Sequence, residues 1–131
     1  MRRLGISKDK SIEKAVRDIL KSKAKSSIYI YLLRNIGART EEIIKGTGLH
    51  PSTVRETLSK MFDQDLIFRR KIKNDSIGKN PYLYYAIPPI ELLKRYASEI
   101  EDRLNKLVRI TSKDKIRNYR PVSINIKEGG Q

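Results

Sequence analysis

Thr40-Glu-Glu-Ile-Ile-Lys-Gly-Thr-Gly-Leu-His-Pro-Ser-Thr-Val-Arg-Glu-Thr-Leu-Ser-Lys-Met-Phe-Asp-Gln-Asp-Leu-Ile67 is the stretch that decides the fold. Thr40 can cap a short helix, Glu41 to Lys45, whose two acids sit at its positive end. Gly46-Thr-Gly48 then reads as a turn in which glycine tolerates positive φ. Leu49 reads as an apolar plug between two helices, and Pro51 fits the first position of the second, where a missing N–H costs nothing. Within that helix Val54, Leu58 and Met61 fall at i, i+4 and i+7, a spacing that predicts one buried stripe. Phe62 and Leu66 extend the stripe toward a sheet. Two short helices joined this way form a helix-turn-helix, whose second member is shaped to enter a DNA major groove.

The pattern continues outward on both sides. Ile67 to Lys73 alternates as a strand, with Arg69, Lys71 and Lys73 on one face and Phe68, Arg70 and Ile72 on the other. Residues 74–81 are a turn-rich tip, Tyr82 to Ile87 is the returning strand, and Pro88-Pro89 stops the ribbon. Upstream, Ser11 to Leu20 carries apolar residues at helical spacing. Ser26-Ser27 can cap a second helix, Ile28 to Asn35, which is apolar nearly all round and belongs at the centre of the core. Downstream, Ile90, Leu93, Ala97, Ile100, Leu104 and Leu107 recur in steps of three and four, a heptad seam. Leu92, Tyr96 and Val108 broaden that face, so it can serve a second copy or fold back on its own domain; the narrow seam favours the second copy. The tail from Thr111 is basic and then alternates Val122, Ile124 and Ile126, as a late strand or an unstructured end.

The expected architecture is therefore mainly α with a small β-ribbon: a winged helix-turn-helix followed by a long C-terminal dimerisation helix. Its parts are a basic arm and first helix (1–25), the winged unit (26–89), a coiled-coil helix (90–110) and a basic tail (111–131).

Composition narrows the chemistry. Against 15 Asp and Glu the chain has 29 Lys and Arg, a formal charge of +14, and a basic excess of this size points to polyanions. Residues 1–37 hold ten bases against three acids, residues 38–89 nine against six, and residues 111–131 five against two. The flanks are thus more basic per residue than the motif they enclose. No cysteine is present and His50 is the only histidine, which removes disulfides, thiolate metal sites and Ser-His constellations. We expect no catalytic residue, no metal, no cofactor and no small-molecule effector. No apolar run approaches a membrane span and no signal core follows the first residues, which predicts a cytoplasmic, nucleoid-associated protein without membrane contact.

The buried stripe turns Ser52, Thr53, Arg55, Glu56, Ser59 and Lys60 outward. Ser52 and Thr53 lie in the first helical turn, where hydroxyls and free N–H groups can hold a phosphate or reach base edges. Arg55 can read guanine and Glu56 a cytosine amine; equally, Arg55 and Lys60 can touch phosphate while Glu56 pairs with a neighbouring lysine. His50 reads as a capping or phosphate-contacting residue. In the wing, Arg69, Lys71, Lys73, Asn74, Lys79 and Asn80 are placed to flank the minor groove or its phosphates. Tyr82, Tyr84 and Tyr85 read as sheet-packing residues, although aromatics on one strand face also suit RNA stacking.

With those residues in hand, residues 48–67 resemble the helix-turn-helix of archaeal TrmB-like transcriptional regulators and, more distantly, of MarR-type regulators. Tyr84-Tyr-Ala-Ile-Pro-Pro89, followed at once by a heptad helix, is similar to the junction of TrmB-like proteins. The resemblance spans about residues 26 to 108. It implies a homodimer that binds double-stranded DNA and regulates transcription. Asp65 departs from the glycine usual in that family, and an αL conformation there is tolerable for Asp. The family's sugar-binding domain has no counterpart in the tail, so sugar sensing is not expected. Two other uses of the same surface stay open: non-specific architectural or RNA binding, and a protein-interaction module of a transcription or replication assembly.

Overall fold

The computed structural model describes residues 10–72, 82–111 and 120–129. Among these the order is α1 (Lys10–Leu20), α2 (Lys23–Arg34), α3 (Thr40–Thr47), α4 (Pro51–Asp63), β1 (Ile67–Lys71), β2 (Tyr82–Ala86) and α5 (Pro89–Thr111). The expected class holds: mainly helical, with one antiparallel two-stranded ribbon and a long C-terminal helix. The chain forms two compact units, Met1–Ile87 and Pro88–Gln131.

In the first unit α2 is the hub, as its all-round apolar surface requires, and it meets α1, α3, α4 and β2. Ile28, Tyr29, Ile30 and Leu32 are buried there with Ile43 of α3, Val54, Leu58 and Met61 of α4, and Leu66, Ile67 and Tyr84 around the ribbon. Tyr29 is held at both ends. Its ring is buried, and its hydroxyl donates to the Ile87 carbonyl at 2.7 Å, tying the core to the end of the ribbon. Burial pushes the Tyr29 phenol from 10.0 up to about 12. The fold thus favours the neutral phenol, so this contribution is complete below the unfolded value and is lost as pH rises between the two. Urea unfolding from about pH 9 to about pH 11.5 should show stability falling, and Tyr29→Phe should flatten that fall while lowering stability by about 1 kcal/mol at the lower pH.

Several helix boundaries differ from the sequence expectation, each for a local reason. Helix α2 starts at Lys23, not at Ser26-Ser27, because Ser22 caps it: the Ser22 hydroxyl oxygen accepts from the Lys25 N–H at 3.1 Å. Ser26 is instead buried inside the helix, its hydroxyl donating to the Ser22 carbonyl at 2.6 Å. Thr40 is the first residue of α3 rather than its cap. The Glu42 carboxylate takes the Arg39 N–H at 2.8 Å and closes that end.

Gly46 is also helical, and only Gly48, at φ 72, turns the chain. Gly46 is there for room. A Cβ on it would overlap the Tyr31 ring, with Cδ1 and Cζ at 2.6 Å. Gly46→Ala should therefore destabilise by about 1–3 kcal/mol despite the better helix propensity. In a Tyr31→Ala background the same change should gain up to about 1 kcal/mol, so a thermal-melt cycle that kept one sign throughout would contradict the packing account.

Asp65 takes the αL conformation anticipated for it, φ 57. Around it Asp65 N–H donates to the Phe62 carbonyl at 3.1 Å and Leu66 N–H to the Met61 carbonyl at 2.9 Å. This double closure is a Schellman motif, with Leu66 and Met61 as its buried apolar pair. It ends α4 sharply and aims β1.

The ribbon registers Ile67 with Ala86, Arg69 with Tyr84 and Lys71 with Tyr82. Ala38 adds a bridge that periodicity could not reveal, exchanging both backbone hydrogen bonds with Tyr84 at 2.8 and 3.1 Å.

In the second unit, Leu93, Leu104 and Leu107 of α5 are 44, 41 and 60% exposed, while Ile90, Ala97 and Ile100 are half-buried. Residues 120–129 have no regular secondary structure, yet they are tied to α5 in antiparallel order. Val122 is bonded to Asn105, Ile124 to Glu101 and Glu128 to Lys94.

Candidate nucleic-acid interface

Helix α4 is built from its two ends inward. His50 caps it, with Nδ1 accepting from the Ser52 N–H at 3.2 Å and lying 2.8 Å from the Ser52 hydroxyl. The capping alternative for His50 is thus realised, on the tautomer that leaves Nδ1 free to accept. Pro51 occupies the first turn as its fixed φ allows. Val54, Leu58 and Met61 are buried as expected, and Thr57 joins them at 7% exposure. The opposite face presents Ser52, Thr53, Arg55, Glu56, Ser59 and Lys60, all exposed. That face is anchored rather than floating, because every residue that orients it lies in the core.

Two of the six engage each other. Lys60 Nζ and Glu56 Oε1 are 3.2 Å apart, with side chains 60 and 72% exposed. A pair this exposed is worth a few tenths of a kcal/mol and opens at little cost when a stronger anion approaches Lys60. Arg55 and Ser59 border a cleft shared with Thr40, Phe62, Asp63, Arg69 and Tyr84, between α4 and the ribbon.

Arg69 does something its place in an alternating strand did not announce. Its guanidinium lies 4.0 Å from the centroid of the Phe62 ring and 4.3 Å from that of Tyr82. The cation therefore joins α4 to both strands of the ribbon and sets the wing's angle to the helix. Lys71 follows it at the end of β1 and is exposed. On the other ribbon face Phe68 stacks on Tyr85 at 5.1 Å and 8°, with Arg70 5.9 Å from the Tyr85 ring. Tyr84 is a packing residue as expected, 7% exposed. Lys73, Asn74, Lys79 and Asn80, the expected wing tip, lie outside the described residues, as do Arg2, Arg3 and Lys8 of the expected arm.

Among the described residues no cluster of His, Asp or Glu is arranged to hold a metal ion, and no helix is long and apolar enough to cross a membrane.

A family model described as "Sugar-specific transcriptional regulator TrmB" matches residues 22–90, which contain α2, α3, α4 and both strands. No curated protein matches the chain. Among solved structures, the chain is similar to a possible transcriptional regulator from Methanosarcina mazei Go1, with a TM-score of 0.61 at 18% identity over 78% of this chain and 89% of that one. RV1404 from Mycobacterium tuberculosis superposes with a TM-score of 0.51 at 9% identity, over 82% and 74% of the two chains. A MarR family transcription regulator gives 0.50 at 18% identity, over 79% and 70%. At such identities the superpositions speak for the fold.

Proposed function

The chain belongs to the TrmB family of transcriptional regulators, and from that premise we propose that it binds double-stranded DNA sequence-specifically as a homodimer. The observation that carries this reading is the exposed face of α4, six polar or charged side chains held in register by Val54, Leu58 and Met61 beneath them. Helix α4 enters the major groove, and the wing lies on the adjacent backbone or minor groove through Lys71 and the tip residues Lys73, Asn74, Lys79 and Asn80. Arg55 reads base edges, while Ser52 and Thr53 in the first turn hold phosphate. Arg69 supports the wing from within its aromatic sandwich. Two copies related by a two-fold axis address half-sites about 10 bp apart.

Selection of bound DNA from a random pool tests the reading as a whole, because it returns specificity, palindromy and spacing together. Competition against the selected site then separates the roles of individual residues. Arg55→Ala should lose about 1–3 kcal/mol of discrimination at one base pair. Lys71→Ala should weaken all sequences alike and reduce the salt slope by about 1. Identical behaviour of the two variants would refute this division.

Single-stranded RNA binding has one observation in its favour, the Phe68–Tyr85 stack beside Arg70, with Phe68 50% exposed. A pool that enriched single strands, with binding lost on Phe68→Ala and kept on Arg55→Ala, would favour that reading instead. If no nucleic acid were enriched, a protein-interaction role for the α4 face would replace both.

A further inference from the structure

The contacts of the C-terminal segment with α5 are too specific for a solvated tail. Asn105 is a polar residue at 0% exposure, and its side-chain amide behaves as a spare peptide group. The Asn105 Nδ2 donates to the Val122 carbonyl at 3.0 Å and to the Glu101 carbonyl at 2.9 Å, while Oδ1 accepts from the Val122 N–H at 3.0 Å. One turn earlier, Glu101 Oε2 accepts from the Ile124 N–H at 2.9 Å. Arg120 bridges Asp102 at 2.6 Å and Glu101 at 3.3 Å, and Lys94 lies 3.5 Å from Glu128. The backbone contacts of Val122 and Ile124 are thus met by side chains of one helix face. Burying an amide such as Asn105 is tolerable because its donors and acceptor are satisfied in this way.

That face adjoins the exposed seam. Ala97 belongs to the seam, and it lines an open cleft together with Ser98, Glu101, Ile124 and Ile126. The alternating apolar residues of the tail therefore extend the apolar strip of Leu93, Leu104 and Leu107 instead of covering it. The same helix is also polarised. From Pro89 to Asp102 it carries four acids and two bases, and from Arg103 to Thr111 three bases and no acid. Two such helices laid antiparallel bring the basic end of each to the acidic half of the other, whereas parallel helices set like against like. This is the self-complementarity that a two-fold contact requires.

We propose that residues Arg120 to Glu128 form the second rail of a dimer interface: clasped to α5 by Asn105 and Glu101, the segment makes with Leu93, Ile100, Leu104 and Leu107 a composite apolar face that takes the antiparallel α5 of a second copy. The inference rests on the homodimer reading, and adds to it the tail and the direction of pairing. The clasp holds the tail in place before the second copy arrives, so its ordering does not count against association.

The test uses the full chain. Sedimentation equilibrium over a concentration series should show a wild-type dimer that Leu104→Asp dissociates. Ile124→Asp, on the tail and away from the helix, should weaken dimerisation by about tenfold or more. Asn105→Leu should weaken it as much, and hydrogen exchange should show the Val122 and Ile124 amides protected in the wild type and unprotected in this variant. Cysteines paired at positions 93 and 107 should crosslink between copies, as antiparallel helices require; crosslinking of 93 to 93 and 107 to 107 alone would overturn the direction. A wild type that stayed monomeric would refute the homodimer reading and the rail with it. A dimer lost in Leu104→Asp but unchanged in Ile124→Asp and Asn105→Leu would leave the homodimer standing and refute the rail alone.

Discussion

Raising salt from about 50 to about 200 mM should weaken binding of the protein to its best DNA site by about four orders of magnitude. The figure follows from counting cations. Each copy offers Arg55 and Lys60 on α4 and Lys71 on the ribbon, with Arg70 beside them, all exposed. If two copies neutralise about eight phosphates between them, the log–log salt slope is about −7. Fluorescence anisotropy at a series of salt concentrations measures it directly. A slope shallower than about −2 would mean that these cations do not meet phosphate, and would favour a protein partner for the same face. Arg69→Ala is the internal control. Its guanidinium is already occupied by Phe62 and Tyr82, so its loss should cost stability and wing angle while changing the slope little.

The second large effect is expected at Met61. Met61→Ala should lower unfolding free energy by about 2–5 kcal/mol, read from urea denaturation. Met61 is 0% exposed, and its side chain is the last of the α4 stripe. Its carbonyl also receives the Leu66 N–H at 2.9 Å, so the residue sits where α4 hands over to β1. Truncation leaves a cavity at that joint, and the affinity for DNA should fall with stability as the wing loosens. Ser59→Ala, one turn away but exposed, should leave stability within about 0.5 kcal/mol of the wild type. A Met61 variant as stable as the Ser59 variant would contradict the placement of α4 on the core.

The contrast between these residues shows how much was legible beforehand. The stripe Val54, Leu58 and Met61 obeys a single period, and a period is a property of neighbours in sequence. Once one side of α4 is assigned to the core, Arg55, Glu56, Ser59 and Lys60 must face out. The same logic placed α2 at the centre and left Leu104 and Leu107 exposed on α5. Helix starts were less legible, because several hydroxyls competed. Ser22, Ser26 and Ser27 are all acceptable caps, and the backbone geometry at Ser22 decided between them.

The amino-acid sequence by itself determined the helix-turn-helix, the ribbon, the outward face of α4, the basic excess and the α5 seam, since each follows from local spacing or from composition. Only the tertiary structure decided what joins residues distant in the chain. It put Arg69 between Phe62 and Tyr82, tied the Tyr29 hydroxyl to Ile87, paired Ala38 with Tyr84 and clasped Val122 to Asn105. No periodicity encodes such contacts. A lone cation, phenol or amide fits many environments on its own, and it acquires a role when packing brings a particular ring or carbonyl within reach.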